Sequence, residues 1–144
     1  MSEIEEIWKP VHLYPYSEKY EVSNLGRVRS LDTLVNYREK ISRKLSKRVY
    51  PGRVLKGALA ESGYRFVSLK MNGSTQQIYI HRLVAFAFVD GYKEDLVVNH
   101  KDENRLNNNY LNLEWVTQKY NANYGHRNEN LRKSLRRHYD ALKK

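Results

Sequence analysis

The chain of 144 residues contains no cysteine, only three prolines and no long run of apolar residues. Without cysteine it cannot form disulfides, thiolate zinc sites or iron–sulfur clusters, and it has no cysteine nucleophile. Any metal must therefore be held by nitrogen or oxygen ligands. No apolar run approaches the about 20 residues of a membrane-spanning helix, and the first residues lack the basic and apolar regions of a secretion signal. We therefore expect neither secretion nor a membrane partner.

Positive charge is in excess, and it is clustered. The chain carries 26 Lys and Arg against 16 Asp and Glu, which gives a formal net charge of +10. The segment 27–56 holds ten basic and two acidic residues, and the segment 118–144 holds eight basic and two acidic residues. Clustered basic side chains bind polyanions by displacing counterions, so this pattern favours a nucleic-acid partner.

The first half of the chain is predicted to be rich in short antiparallel strands. Residues 20–23 and 27–31 have strand composition and flank the loop 24–26, in which Asn and Gly tolerate positive φ. Because side chains alternate along a strand, Arg27 and Arg29 are expected to share one face.

A second hairpin is predicted from the strands 64–71 and 74–80, which flank Asn72-Gly73, the pair that favours a type I′ turn. Residues 53–59 are a further candidate strand. The intervening segment 33–51 is very basic and poorly patterned. It is compatible with a surface helix or with a loop that becomes ordered only on DNA.

The second half of the chain has a different pattern of apolar and polar residues. Residues 80–89, IHRLVAFAFV, are apolar nearly all round and predict a buried helix, with His81 as a hydrogen-bonded core or capping residue. Residues 96–98 and 114–116 are candidate strands, separated by an asparagine-rich loop that we expect to bond to its own backbone. Thr117 is predicted to cap the helix that begins at the next residue.

This second half resembles the HNH motif of phage and intron-encoded homing endonucleases, in which the last His of the motif name is commonly Asn. The resemblance rests on Asn99-His100-Lys101-Asp102-Glu103-Asn104, Asn108-Asn109, Asn112-Leu113-Glu114-Trp115-Val116-Thr117 and Asn121. Residues 7–31 are similar to the NUMOD4-like module that precedes HNH in these enzymes, and the segment 81–85 joins the two parts.

The resemblance implies an α+β fold with three parts. Residues 1–79 would form an antiparallel β-rich DNA-binding module. Residues 80–126 would contain the buried linking helix and a ββα-metal (His-Me finger) nuclease unit, and residues 127–144 a basic C-terminal helix.

The resemblance also implies roles for four residues. His100 would be the catalytic general base, which suits an imidazole because its ordinary pKa lies near neutral pH. Asn112 would orient the loop that carries His100 through hydrogen bonds. Asn99 and Asn121 would be ligands of one divalent cation, Mg²⁺ or Mn²⁺. Two neutral amides bind a hard cation poorly, so we expect weak affinity until a DNA phosphate completes the coordination.

Basic side chains on both sides of this unit are expected to contact the duplex, and those of the β-rich half could enter a major groove on a β-ribbon. The candidates are Arg27, Arg29, Arg53, Lys56, Arg65, Lys119, Arg132, Lys133, Arg136 and Arg137.

The expected function is therefore that of a metal-dependent HNH homing endonuclease that nicks or cleaves double-stranded DNA by phosphodiester hydrolysis. The alternatives are a catalytically silent, sequence-specific DNA-binding protein on the same scaffold and a basic RNA-binding domain. The presence of His100, Asn112 and Asn121 at motif spacing argues against the silent protein. A monomer, which is favoured, would nick, whereas a dimer could cut both strands. The expected location is the cytoplasm of a host cell, as a phage or intron-encoded protein.

Overall fold

The computed structural model describes residues 4–124, which form ten antiparallel strands and two helices. The first sheet contains β1 (Trp8–Pro10), β2 (Tyr20–Ser23) and β3 (Val28–Ser30), with β2 in the middle. Val22 of β2 is fully buried, so the alternating pattern of this segment points its apolar side chains into the core.

A two-stranded hairpin, β4 (Thr33–Arg38) and β5 (Leu45–Tyr50), follows the first sheet. Neither the surface helix nor the loop considered for this segment is correct. Almost every side chain of the hairpin is exposed, and Ile41 at its tip is 98% exposed. Because no face of the hairpin is buried in the core, its sequence lacks the alternation of apolar and polar residues that usually reveals a strand.

The second sheet contains β6 (Ala58–Leu59), β7 (Arg65–Met71) and β8 (Ser74–Tyr79). The type I′ turn predicted between β7 and β8 is present, because Asn72 and Gly73 have φ values of +52° and +79°.

The helix α1 (Ile80–Phe88) is buried, as its composition predicts, and connects the two halves of the chain. It packs against β2, β7 and β8 on one side and against the strands that follow it on the other. The two halves therefore share one hydrophobic core. Its buried members are Val11, Tyr16, Tyr20, Val22, Val28, Val67, Leu69, Ile80, Leu83, Val84, Ala85, Val98 and Leu113.

The last described elements are the strand pair β9 (Val97–His100) and β10 (Leu113–Val116) and the short helix α2 (Gln118–Asn123). The hydroxyl of Thr117 accepts a hydrogen bond from the backbone N–H of Tyr120, so the predicted cap of α2 is present. The helix packs against β9, which completes a ββα unit.

The predicted α+β class, with its antiparallel strands, buried linking helix and ββα unit, is confirmed. The division at residues 79 and 126 stays a prediction, and the basic helix 127–144 lies outside the described residues. No helix within residues 4–124 has the length and apolar character needed to cross a membrane.

Candidate active site

His100 lies at the end of β9 and is only 3% exposed. Its Nε2 atom is 2.9 Å from the side-chain oxygen of Asn108, which is also buried. The imidazole packs against the ring of Tyr64, with the centroids 5.7 Å apart, and edge-on against His81 at 5.2 Å. A hydrogen bond and two ring contacts thus restrict the orientation of this side chain.

Asn112 is bonded to the loop that connects β9 and β10. Its amide nitrogen donates to a carboxylate oxygen of Asp102 and to the backbone carbonyl of Asn107, both at 2.9 Å. Its side-chain oxygen accepts from the backbone N–H of Asp102 at 3.1 Å, and its carbonyl accepts from the N–H of Lys101. Three of these four bonds hold residues 101 and 102, which follow His100 directly.

The asparagine-rich loop bonds to itself, as predicted. Asp102 accepts hydrogen bonds from the side chain of Asn107 and from the backbone N–H of Asn104, and these bonds lower the pKa of its carboxyl. Asn104 and Asn109 in turn accept from backbone N–H groups two residues further on, the geometry of Asx-turns. The loop is therefore held by its own hydrogen bonds without burying apolar side chains.

Asn99 is opposite Glu114 in the β9–β10 ladder and is 1% exposed. Its amide nitrogen donates to a Glu114 carboxylate oxygen at 2.9 Å, which fixes the amide so that the oxygen points away from Glu114. That oxygen is buried and has no hydrogen-bond partner among residues 4–124. A buried oxygen without a partner is energetically costly unless a cation or water occupies the space in front of it.

Asn121 lies in the second turn of α2, and its side-chain oxygen is buried as well. The helix packs against β9, and the hydroxyl of Tyr124 donates to the carbonyl of Lys101 at 2.6 Å. The end of α2 is thus tied to the residue directly after His100.

The side-chain oxygens of Asn99 and Asn121 suit a divalent cation that prefers oxygen ligands. These two residues would hold such a cation only weakly. Within residues 4–124 no group of three or more His, Asp or Glu side chains is arranged to bind a metal ion. The oxygens of Asn99 and Asn121 are hard donors of the type that Mg²⁺ and Mn²⁺ accept. Because both are neutral, a cation held there would take most of its coordination from water and phosphate.

His81 is buried, as predicted, but its Nδ1 atom has no hydrogen-bond partner within the described part of the chain. Its ring lies against those of Tyr64, Tyr79 and His100, with centroids 4.7 to 5.3 Å apart. Burial, followed by the charges of His100 and Arg82, lowers the pKa of His81 to about 3. The ring is therefore neutral at physiological pH and brings no positive charge to His100.

His81 should make the protein less stable in mild acid. Its pKa is lower in the folded protein than in the unfolded chain. Its contribution to the free energy of unfolding is therefore complete above about pH 6.5 and is lost as the pH falls towards 3. In this range the free energy of unfolding should fall by about 1.4 kcal/mol for each pH unit. Between pH 7 and pH 5 the free energy of unfolding should fall by up to about 2 kcal/mol more in the wild type than in His81→Phe. Urea unfolding at both pH values checks this, and equal losses in the two proteins would contradict it.

Arg27 and Arg29 share one face, as the alternation predicts, but both are paired with carboxylates. Arg27 forms an ion pair with Glu6, and this hydrogen bond lowers the pKa of Glu6. Arg29 donates to Glu21 at 2.7 Å. Both guanidinium groups also lie over the ring of Trp8, at 5.5 and 4.0 Å from its centroid.

Three of the predicted basic residues line one cleft of about 220 Å³, which also reaches Asn108. They are Arg27, Lys56 and Arg65. Arg53 is exposed on a neighbouring groove, and Lys119 is exposed on α2. The remaining predicted residues, Arg132, Lys133, Arg136 and Arg137, lie outside the described residues.

Comparison with known proteins identifies both halves of the chain. The NUMOD4 motif family matches residues 6–70, and an HNH endonuclease family matches residues 78–123. The chain therefore combines a NUMOD4 motif with an HNH endonuclease unit and is homologous to an HNH homing endonuclease. It is 38% identical over 115 residues to DNA endonuclease I-HmuI of Bacillus phage SP01, over 80% of this chain and 55% of that one. The solved structure described as "DNA binding and cleavage by the HNH homing endonuclease I-HmuI" superimposes with a TM-score of 0.62 over 81% of this chain and 55% of that one.

Other HNH endonucleases are also similar. An uncharacterized HNH endonuclease, L245, of Acanthamoeba polyphaga mimivirus is 36% identical over 81% of this chain and 29% of its own length. The H-N-H endonuclease F-TflII of Escherichia phage T5 is 39% identical over 41% of this chain and 32% of its own length. This chain thus spans about half of I-HmuI and about a third of the other two.

Three contacts made by residues of this HNH unit were not predicted from the sequence. They are the bond between Asn108 and His100, the bond between Glu114 and Asn99, and the packing of Tyr64 against His100. The Asn99–Glu114 contact follows from the register of β9 and β10, which the two strand segments alone did not define. The other two depend on loop geometry and on packing between the two halves of the chain, for which the sequence holds no local signal.

Proposed function

We propose that the chain is a metal-dependent DNA endonuclease that nicks or cleaves double-stranded DNA by hydrolysing phosphodiester bonds. The observation that carries this proposal is the buried His100 at the end of β9, held by Asn108 inside the ββα unit. An imidazole held in one orientation suits an enzyme that moves a proton, because general-base catalysis depends on orientation.

His100 is the proposed general base. It takes a proton from a water molecule as the water oxygen attacks phosphorus, and the bond between phosphorus and the leaving sugar oxygen breaks. His81 supports this role because it is neutral above about pH 3 and does not repel the proton that His100 accepts. Asn112 acts on the loop, where its bonds to Asp102 and Asn107 support the backbone after His100.

HNH endonucleases generally use a divalent metal ion. We assign Asn99 and Asn121 as the residues that would hold Mg²⁺ or Mn²⁺, which the buried oxygen of Asn99 supports. When bound, the ion stabilises the negative charge on the phosphoryl group and on the leaving oxygen as a Lewis acid. The neutral donors leave the affinity low until a DNA phosphate is present.

The proposed DNA surface includes the basic cleft of Arg27, Lys56 and Arg65, together with Arg53, Lys119, Arg132, Lys133, Arg136 and Arg137. The pairing of Arg27 and Arg29 with carboxylates supports a smaller contribution of these two residues to DNA binding, because a contact with DNA would break existing ion pairs. The β4–β5 hairpin extends the surface. It is exposed on both faces and carries six basic residues, Arg38, Lys40, Arg43, Lys44, Lys47 and Arg48.

The division into a DNA-binding module, a nuclease unit and a basic terminal helix is part of the proposal. So is a monomer that nicks one strand for each binding event, since one ββα unit supplies one general base. The phage relatives support a location in the cytoplasm of a host cell.

Conversion of plasmid DNA tests the proposal. With Mg²⁺ or Mn²⁺, supercoiled plasmid carrying a cognate site should become open circles, and EDTA should abolish the conversion because the chain offers few charged ligands of its own. Equal conversion with EDTA would contradict metal dependence. Tight binding of the plasmid without any conversion would instead favour the catalytically silent DNA-binding protein.

A further inference from the structure

The bond between His100 and Asn108 selects one form of the imidazole. Asn108 presents its side-chain oxygen to Nε2 at 2.9 Å, and an amide oxygen can only accept a hydrogen bond. In the neutral ring Nε2 must therefore carry the proton, and the lone pair is on Nδ1. Both residues are buried, at 3% and 6% exposure, so water does not readily replace this bond.

We propose that Asn108 is a positioning residue that holds His100 as the Nε2–H tautomer and so makes Nδ1 the nitrogen that accepts the proton of the attacking water. The proposal rests on the proposed function of His100 as general base. Asn108 does not touch the reacting atoms. It acts through the ring, whose orientation Tyr64 and His81 support by contact on other sides.

The N-terminal half of the chain holds Asn108 in place. The turn between β2 and β3 lies directly on it, since a Cβ atom added at Gly26 would be 2.9 Å from the Asn108 Cβ and 3.1 Å from its carbonyl oxygen. The carbonyl of Asn24 accepts from the backbone N–H of Tyr110 at 2.9 Å, two residues after Asn108. Glycine is required at position 26 both by this close approach and by its φ of +94°.

This turn is itself anchored. The side chain of Asn24 accepts from the backbone N–H of Ile7 at 2.8 Å and donates to the carbonyl of Glu5 at 3.0 Å. A continuous series of contacts therefore runs from the N-terminal sheet through Asn108 to the imidazole. The N-terminal module thus positions the general base in addition to any contact it makes with DNA.

Nitrogen-15 NMR of the full chain tests the tautomer directly, without DNA or metal. In the wild type at neutral pH, Nδ1 of His100 should resonate as an unprotonated nitrogen, and Nε2 should show a bonded proton protected from exchange. Asn108→Leu removes the acceptor at similar volume and should lose the protected proton. Asn108→Asp keeps an acceptor and should retain it.

The same variants separate a positioning role from a merely structural one. In single-turnover cleavage, Asn108→Leu should be slower by roughly 10- to 100-fold, within the range expected for general-base catalysis, and DNA affinity should change by no more than a few fold. Asn108→Asp should recover most of the rate. A wild-type spectrum with the proton on Nδ1, or a protected proton that persists in Asn108→Leu, would overturn the proposal. The NMR spectrum does not depend on cleavage. An inactive wild type would therefore contradict the proposed function without affecting the test of the His100 tautomer.

A matched pair of glycine variants tests the N-terminal contact and does not depend on whether Asn108→Leu folds. Gly26→Ala and Gly91→Ala place a side chain at nearly the same φ, +94° and +98°, but a Cβ at Gly91 meets no atom of the described residues within 4 Å. Gly26→Ala should shift the Nε2 signal of His100 and slow cleavage about tenfold or more. Gly91→Ala should do neither. Equal effects of the two substitutions would refute the contact as the cause.

Discussion

Replacing Asn99 by Asp and Glu114 by Gln in one protein is expected to strengthen Mn²⁺ binding by about tenfold or more without loss of the fold. In the wild type the Asn99 amide donates to the Glu114 carboxylate at 2.9 Å. The double substitution reverses this bond, because the glutamine amide at position 114 can donate to the new carboxylate at position 99. A charged oxygen then faces the place where we assign the cation, and hard cations prefer carboxylates to amides.

The single variant Asn99→Asp is the informative control. It places two carboxylates against each other at a position that is 1% exposed, and an uncompensated buried charge costs roughly 3–5 kcal/mol. Without metal this single variant should be markedly less stable than the wild type. Adding Glu114→Gln to it should restore most of the lost stability.

Urea unfolding with Mn²⁺ and with EDTA measures both effects, since a ligand that binds only the folded state stabilises it according to its affinity. The increase in the free energy of unfolding on adding Mn²⁺ should be larger in the double variant than in the wild type or in Glu114→Gln alone. The same gain in all three proteins would show that the side chain at position 99 is not a ligand.

The elements whose residues interact locally could be predicted from the sequence. The turn at Asn72-Gly73 depends on the positive φ values of two adjacent residues, and the cap at Thr117 depends on a bond to a residue three positions away. The helix Ile80–Phe88 is apolar over most of its surface because five of its nine residues are buried in the core. In each case the local preference and the tertiary environment agree.

The β4–β5 hairpin shows where this reasoning fails. Leu34, Ile41 and Leu45 recur near helical spacing, yet all three are exposed, at 59%, 98% and 61%, and none is a core position. The spacing therefore carried no information about burial. A pattern predicts an element only when one of its faces is buried.

The candidate site was predictable as a set of residues but not as a set of contacts. The resemblance to the HNH motif proposed His100, Asn112 and Asn121 as site residues, and the residue pattern predicted the strand that ends at His100 and the helix that carries Asn121. It could not show that Asn108 faces the imidazole or that the turn at Gly26 lies on Asn108, because residues 26 and 108 are distant in sequence and meet only when the two halves of the chain share one core.

Substitution of His100 is expected to have the largest effect on activity. His100→Ala removes the proton acceptor from the site but changes no basic side chain of the proposed DNA surface. Cleavage should therefore slow by about 10²- to 10⁴-fold, the usual range for loss of a general base, while DNA affinity stays within a few fold. His12→Ala is the matched control, since His12 is an exposed histidine whose ring stacks on Phe86 rather than on His81 or His100.

The most direct measurement is the single-turnover rate of nicking on a cognate duplex with saturating protein and Mg²⁺, for the wild type, His100→Ala and His12→Ala. We expect the wild type and His12→Ala to cut at similar rates, and His100→Ala to cut at least about a hundredfold more slowly. Equal rates in all three proteins would remove His100 from the chemistry and contradict the account.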